Sequence, residues 1–161
     1  MKKSIFITGL FFFVSSLISC NKNNLTDNLS SQITTQQKNA NINKSDVPVV
    51  VLDRFNQLYS STNVKGWDLV DGNYLASFTF NGNSMSVLFA ATGFVIETTT
   101  EILESQLPKS CTDYCAKYYV GREIKFAYKT IDALGRVFYK VEIDKTLLLF
   151  DAQGSFVRII V

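Results

Sequence analysis

The chain has 161 residues, 47% of them apolar and 13% aromatic, enough to bury the core of one ordinary domain without metals or disulfides. There are 16 basic and 14 acidic residues, and outside Lys2 and Lys3 the balance is 14 against 14, which excludes an electrostatic footprint for nucleic acid. Histidine is absent, which excludes His-based triads, imidazole proton shuttles and the commonest zinc and iron sites.

Met1-Lys2-Lys3 is a short cationic start, followed by a mostly apolar run from Ile5 to Ile18. A bilayer-spanning helix takes about 20 such residues and a signal-peptide core about 7–15, so the run is predicted to be a secretion signal over 1–19. It ends in Leu17-Ile18-Ser19-Cys20. This order of apolar, tolerant, small and cysteine resembles the lipobox of bacterial lipoproteins. The resemblance implies a diacylglycerol thioether on Cys20, cleavage before it and acylation of the new amino terminus. Several acyl chains anchor firmly, because each buried methylene contributes about 0.8 kcal/mol. Residues 21–46 are rich in Asn, Ser, Thr, Gln and Lys, with Leu25, Leu29 and Ile33 scattered among them. No face there can be buried, so 20–46 is expected to be a lipidated cysteine with a disordered tether spanning roughly 25–35 Å.

The remainder, 47–161, repeats itself. Val47-Pro48 recurs as Leu107-Pro108, and Val51, Phe55 and Tyr59 correspond to Cys111, Cys115 and Tyr119 at the same offset of 60. Val64-Lys65 matches Ile124-Lys125, and Phe89 to Gly93 matches Phe150 to Gly154 at an offset of 61. Each copy, 47–104 and 107–161, is predicted to open with a helix whose proline sits in the first turn, where a missing N–H costs nothing. Val51, Leu52, Phe55, Leu58 and Tyr59 form one apolar stripe. Cys111, Tyr114, Cys115, Tyr118 and Tyr119 form its counterpart. Turn residues then separate four short alternating runs in each copy. They are Asp71-Gly72-Asn73, Asn81-Gly82-Asn83 and Thr92-Gly93 in the first copy, and Asp132 to Gly135, Asp144-Lys145 and Gln153-Gly154 in the second. The expected fold is α+β: two tandem helix plus four-stranded antiparallel meander repeats, forming one continuous sheet with both helices on one face.

The order Val-Pro, a helix with Phe55 and Tyr59, Lys65-Gly66-Trp67, Gly72-Asn73-Tyr74, Phe78, Val87-Leu88-Phe89 and Gly93 resembles the PepSY-like family of bacterial envelope proteins. That family is similar to beta-lactamase-inhibitor protein, with its two helix-plus-four-strand repeats. The resemblance covers all of 47–161. Its motifs are core spacings, so it speaks to fold more than to activity.

Reactive groups are sparse. Cys111 and Cys115 are four apart on a predicted helix, which places their Cβ atoms about 5–6 Å apart, whereas a disulfide takes about 3.5–4.5 Å. Their partners in the first copy, Val51 and Phe55, lie on the inward stripe, so the thiols are expected to be buried. Glu97, Glu101 and Glu104 fall near the link between copies with no evident pocket, and Glu142 and Asp144 at a hairpin; solvated roles are expected for all five. No phosphate loop, EF-hand spacing or metal-ligand set occurs, and a serine nucleophile would have no histidine base. No enzyme activity, cofactor or metal is expected.

Strand alternation leaves one sheet face away from the helices. Tyr74, Ala76, Phe78, Val87 and Phe89 are predicted inward, with Leu75, Ser77, Thr79, Ser86 and Leu88 outward. In the second copy Phe126, Tyr128, Phe138, Lys140, Glu142, Leu147 and Leu149 are predicted outward, an apolar set for a face exposed to water. Leu75, Leu88, Phe126, Tyr128, Phe138, Lys140, Glu142 and Leu149 are therefore the candidate partner-binding residues, with Lys140 and Glu142 orienting a protein or peptide. The chain is expected to be a monomeric, non-enzymatic envelope protein, lipid-anchored in an outer membrane and facing the periplasm. By resemblance its partner would be a secreted hydrolase or peptidase that it restrains. The alternatives are a structural or sensory module without a tight partner, and a thiol-redox protein using Cys111 and Cys115.

Overall fold

The computed structural model describes residues 40–160; the expected signal peptide, Cys20 and the tether up to residue 39 lie outside the described residues. Within them the chain runs β1 (Ala40–Ile42), a 3-10 turn (Lys44–Asp46), α1 (Val49–Leu58), β2 (Val64–Val70), β3 (Asn73–Phe80), β4 (Asn83–Phe89) and β5 (Val95–Ile102). A second 3-10 turn (Glu104–Gln106), α2 (Lys109–Tyr118), β6 (Ile124–Asp132), β7 (Val137–Ile143), β8 (Thr146–Phe150) and β9 (Phe156–Ile159) follow. The strands form one antiparallel sheet in sequential order from β1 to β9. Among the described residues no helix is long and apolar enough to cross a membrane.

Local chemistry explains the elements. Asp46 Oδ2 accepts from the Asn43 N–H at 3.2 Å and Gln106 Oε1 from the Leu103 N–H at 2.8 Å, closing each 3-10 turn. Pro48 and Pro108 are the caps immediately before the helices, one position earlier than a place inside the first turn, each at φ −54°, ψ 139°. The Pro48 carbonyl accepts from Val51 and Leu52 N–H at 2.9 and 3.1 Å. The hairpins after β2 and β3 turn on two residues, Asp71-Gly72 and Asn81-Gly82, all at positive φ. That is the conformation whose twist matches the flanking strands. Asp132 and Asp151 close the longer loops after β6 and β8 by accepting backbone N–H groups two and four residues on.

The helix stripes and the inner strand residues make two cores. In one, Val51 and Phe55 pack over Trp67, Ala76, Phe78, Val87 and Phe89. In the other, Cys111 and Cys115 pack over Ala127, Val141, Ile143, Leu148 and Phe150. The register places these strand residues on one face, so both helices cover the same side of the sheet.

The expected tether is ordered at its end. Ala40, Asn41 and Ile42 pair with Leu69, Asp68 and Trp67, and Ile42 packs on the first core. The edge of β2 supplies backbone partners and Ile42 a half-buried anchor, so the ordered chain starts before residue 47 and the sheet has a ninth strand. A three-residue alternation flanked by asparagines carries too little apolar signal to be read as a strand.

Candidate functional site: the outer sheet face

The face opposite the helices is built in rows across the strands, because directly paired residues share a face. One row runs Glu101, Tyr128, Lys140, Leu149, Arg158 from β5 to β9. Beside it lie Phe126, Glu142 and Leu147. On its other side run Ser77, Ser86, Thr99, Thr130 and Phe138. A fourth row holds Asp68, Leu75, Leu88, Glu97 and Asp132. Phe126, Tyr128, Phe138, Lys140, Glu142 and Leu149 are thus brought together on β6–β8. Leu75 and Leu88 face each other on β3 and β4, separated from that group by β5 and its threonines.

Within the group, the Phe126 and Tyr128 rings are 6.3 Å apart and inclined by 28°. The Arg136 guanidinium lies 5.7 Å from the Phe138 ring. The Tyr128 hydroxyl is pushed up from its ordinary pKa by burial, then by Glu142 and Glu101. Lys140 does not stand free beside Glu142: its Nζ donates to Glu97 Oε1 at 3.0 Å, with 19% and 33% of the two side chains exposed. The pair passes from β7 to β5 over Thr130, which is 1% exposed and shares a 2.9 Å hydroxyl hydrogen bond with Thr99.

Between the aromatic group and β2 the small side chains leave a hollow of about 250 Å³. Ser77, Ser84, Ser86 and Thr99 line it, with Lys65, Glu101 and Tyr128 around them. Glu97 and Glu101, expected to be merely solvated and away from any pocket, therefore belong to this face. Seeing that requires the register of β5 against β6, although the alternation of Glu97, Thr99 and Glu101 along one strand was a signal for it.

Cys111 and Cys115 are unbridged and buried in the second core. Both thiols are pushed up to about 11. Burial is the main cause, reinforced for Cys111 by Cys115 and Asp151 and for Cys115 by Glu104. Thiols in that state are protonated near neutral pH and present no nucleophile. Among the described residues no group of three or more Cys, Asp or Glu is placed to hold a metal ion.

Three solved structures share this architecture. A periplasmic protein of Bacteroides eggerthii superposes with a TM-score of 0.64 at 16% identity, covering 70% of this chain and 87% of its own. A DUF2874 family protein of Bacteroides uniformis gives 0.62 at 19% identity, with the same coverage. A BLIP-like protein of Bacteroides fragilis gives 0.52 at 18%, covering 70% and 84%. The chain has their fold. No family model matches the sequence, and no curated protein does.

Proposed function

We propose that this chain is a non-enzymatic, lipid-anchored envelope protein whose outer sheet face binds another protein. The observation that carries the reading is the contiguous, half-exposed group of Phe126, Tyr128, Phe138 and Leu149, on a sheet face with no helix over it among the described residues. Aromatic side chains ringed by charge suit a protein contact, since they bring large apolar area at low entropic cost. The lipobox-like Leu17-Ile18-Ser19-Cys20 supports attachment to a membrane. The description of the Bacteroides eggerthii protein as periplasmic supports the periplasmic side of such a membrane, the outer one on this reading. The BLIP-like relative supports a PepSY-like module of two tandem units, and a secreted hydrolase or peptidase as the restrained partner.

The test is affinity capture from envelope extract, with the Tyr128→Ala/Phe138→Ala double variant as matched control. A protein retained by the native face and lost from the folded variant is the expected result. Equal retention by both would remove the assignment of this face. An empty capture would favour a structural or sensory module.

A further inference from the structure

A second cavity, of about 410 Å³, lies on the helix side of the sheet. It opens where β1 stops short: β1 pairs only with Trp67, Asp68 and Leu69, leaving Val64 to Gly66 without a strand on that edge. The β2–β3 ladder is irregular at the same place. One side of the cavity is apolar, formed by Leu52 and Phe55 of α1 with Ile42, Val64 and Trp67. The other side is formed by Asn41, Asn43, Asn56, Asn63, Lys44 and Lys65, the last of which also borders the outer-face hollow. No carboxylate lines it, and neither lysine enters an ion pair among the described residues.

Trp67 adds an independent observation. It is 3% exposed, and its indole N–H has no acceptor, alone among the buried side-chain polar atoms of the described residues. Leaving such a donor unmet costs about 1–3 kcal/mol, so proteins rarely do so without a water or ligand to fill the place. The volume falls in the range of about 300–1,000 Å³ usual for small-molecule sites. The chemistry is confined to the first half of the chain. Sixty residues on from Asn41, Lys44, Asn63 and Trp67 stand Glu101, Glu104, Glu123 and Ala127, while Lys65 is matched by Lys125, so the second half has three acidic residues and no tryptophan at these places.

We infer that this cavity binds a small amphipathic carboxylate, its hydrocarbon against Leu52, Phe55 and Trp67 and its head group at Lys44 and Lys65. The indole N–H is itself closed off from solvent, so the ligand meets other atoms of Trp67 and not this donor. Apolar burial holds the body of such a ligand, and charge-assisted hydrogen bonds hold its head.

The protein contains one tryptophan, so its emission reports on this cavity alone. Octanoate is the probe, titrated below its micelle concentration, with octylammonium and octanol as controls of equal length and different charge. Saturable change with octanoate is expected, with affinity at least about tenfold above octylammonium and falling by about tenfold in the Lys44→Met/Lys65→Met variant. An emission unchanged by octanoate, an equal response to octylammonium, or undiminished binding by the lysine variant would each overturn the site.

Discussion

Lys140 reaches over strand β6 to Glu97, two strands away, and the resulting 3.0 Å pair roofs the hydroxyl bond between Thr99 and Thr130. A residue chosen from the sequence as a free orienting charge is thus tied down within the molecule. Around Tyr128 the outer face keeps Glu101 and Glu142 on the acidic side and Lys65 and Arg158 on the basic side, none of which enters an ion pair among the described residues.

The pair should be measurable by a double-mutant cycle. Lys140→Met and Glu97→Gln are each expected to lower stability slightly, with a coupling of about 0.5–1 kcal/mol, since both side chains keep some contact with water. Urea unfolding at low and high salt checks this. A coupling indistinguishable from zero at low salt would show that the contact does not persist in solution.

Gly154 and Gly72 share a positive φ, at 78° and 77°, but not their surroundings. A Cβ at Gly72 would meet nothing within 4 Å, whereas at Gly154 it would strike Ser110 Oγ and approach Pro108 Cβ and Cys111 Sγ. Gly72→Ala is expected to cost about 1 kcal/mol for conformation alone. Gly154→Ala should cost clearly more, because the start of α2 must shift. Denaturation midpoints of the two variants give the ranking, and equal midpoints would contradict the close approach of this loop to the helix.

The two buried thiols make stability depend on alkaline pH. Their folded values of about 11 lie above the ordinary 9.0, so between those values the folded chain binds more protons than the unfolded one. This contribution is complete below about pH 9 and is lost as the pH rises through about 11. Tyr114 and Tyr128, also shifted upward, act in the same direction. Unfolding at pH 8 and pH 10.5 should show the decline, and Cys111→Ala/Cys115→Ala should flatten it. Native-state alkylation at pH 8 should be slow, and rapid only after denaturation. Fast labelling of the native protein would reopen a thiol-based function.

The short first strand is also testable. A chain beginning at residue 47 loses the pairing of β1 with Trp67 to Leu69 and the packing of Ile42. Relative to a chain beginning at residue 37 it should be less stable by about 1–2 kcal/mol. Coincident thermal midpoints would show that β1 adds nothing to the fold.

Most of the architecture is legible in the sequence for identifiable reasons. Asp71-Gly72 and Asn81-Gly82 mark hairpins because few other pairs accept positive φ at both central positions. Val51 and Phe55 mark a helix because their spacing brings them onto one side of it. What escaped notice depends on neighbours rather than on local pattern. Ile42 packs on the core only because Trp67 lies opposite. The 250 Å³ hollow exists because serines and threonines from three strands fall side by side. No single strand reveals that alignment, and neither does the capture of Lys140 by Glu97. The orphaned indole of Trp67 is equally hidden, since an unmet donor is visible only once every acceptor around it has been placed.

The two cores share no buried residue, and what lies between them on the helix side is polar except for Ile131, which is 42% exposed. Thr98 and Thr100 of β5 stand there with Lys129 of β6, while Val95 joins one core and Ile102 the other. Cooperativity between the halves must then pass largely through backbone ladders instead of interlocked side chains. Loosening the Phe55 side should leave amides beneath α2 protected against hydrogen exchange. The sheet is continuous, but its resistance to opening is divided at β5, so damage to one end can be confined there.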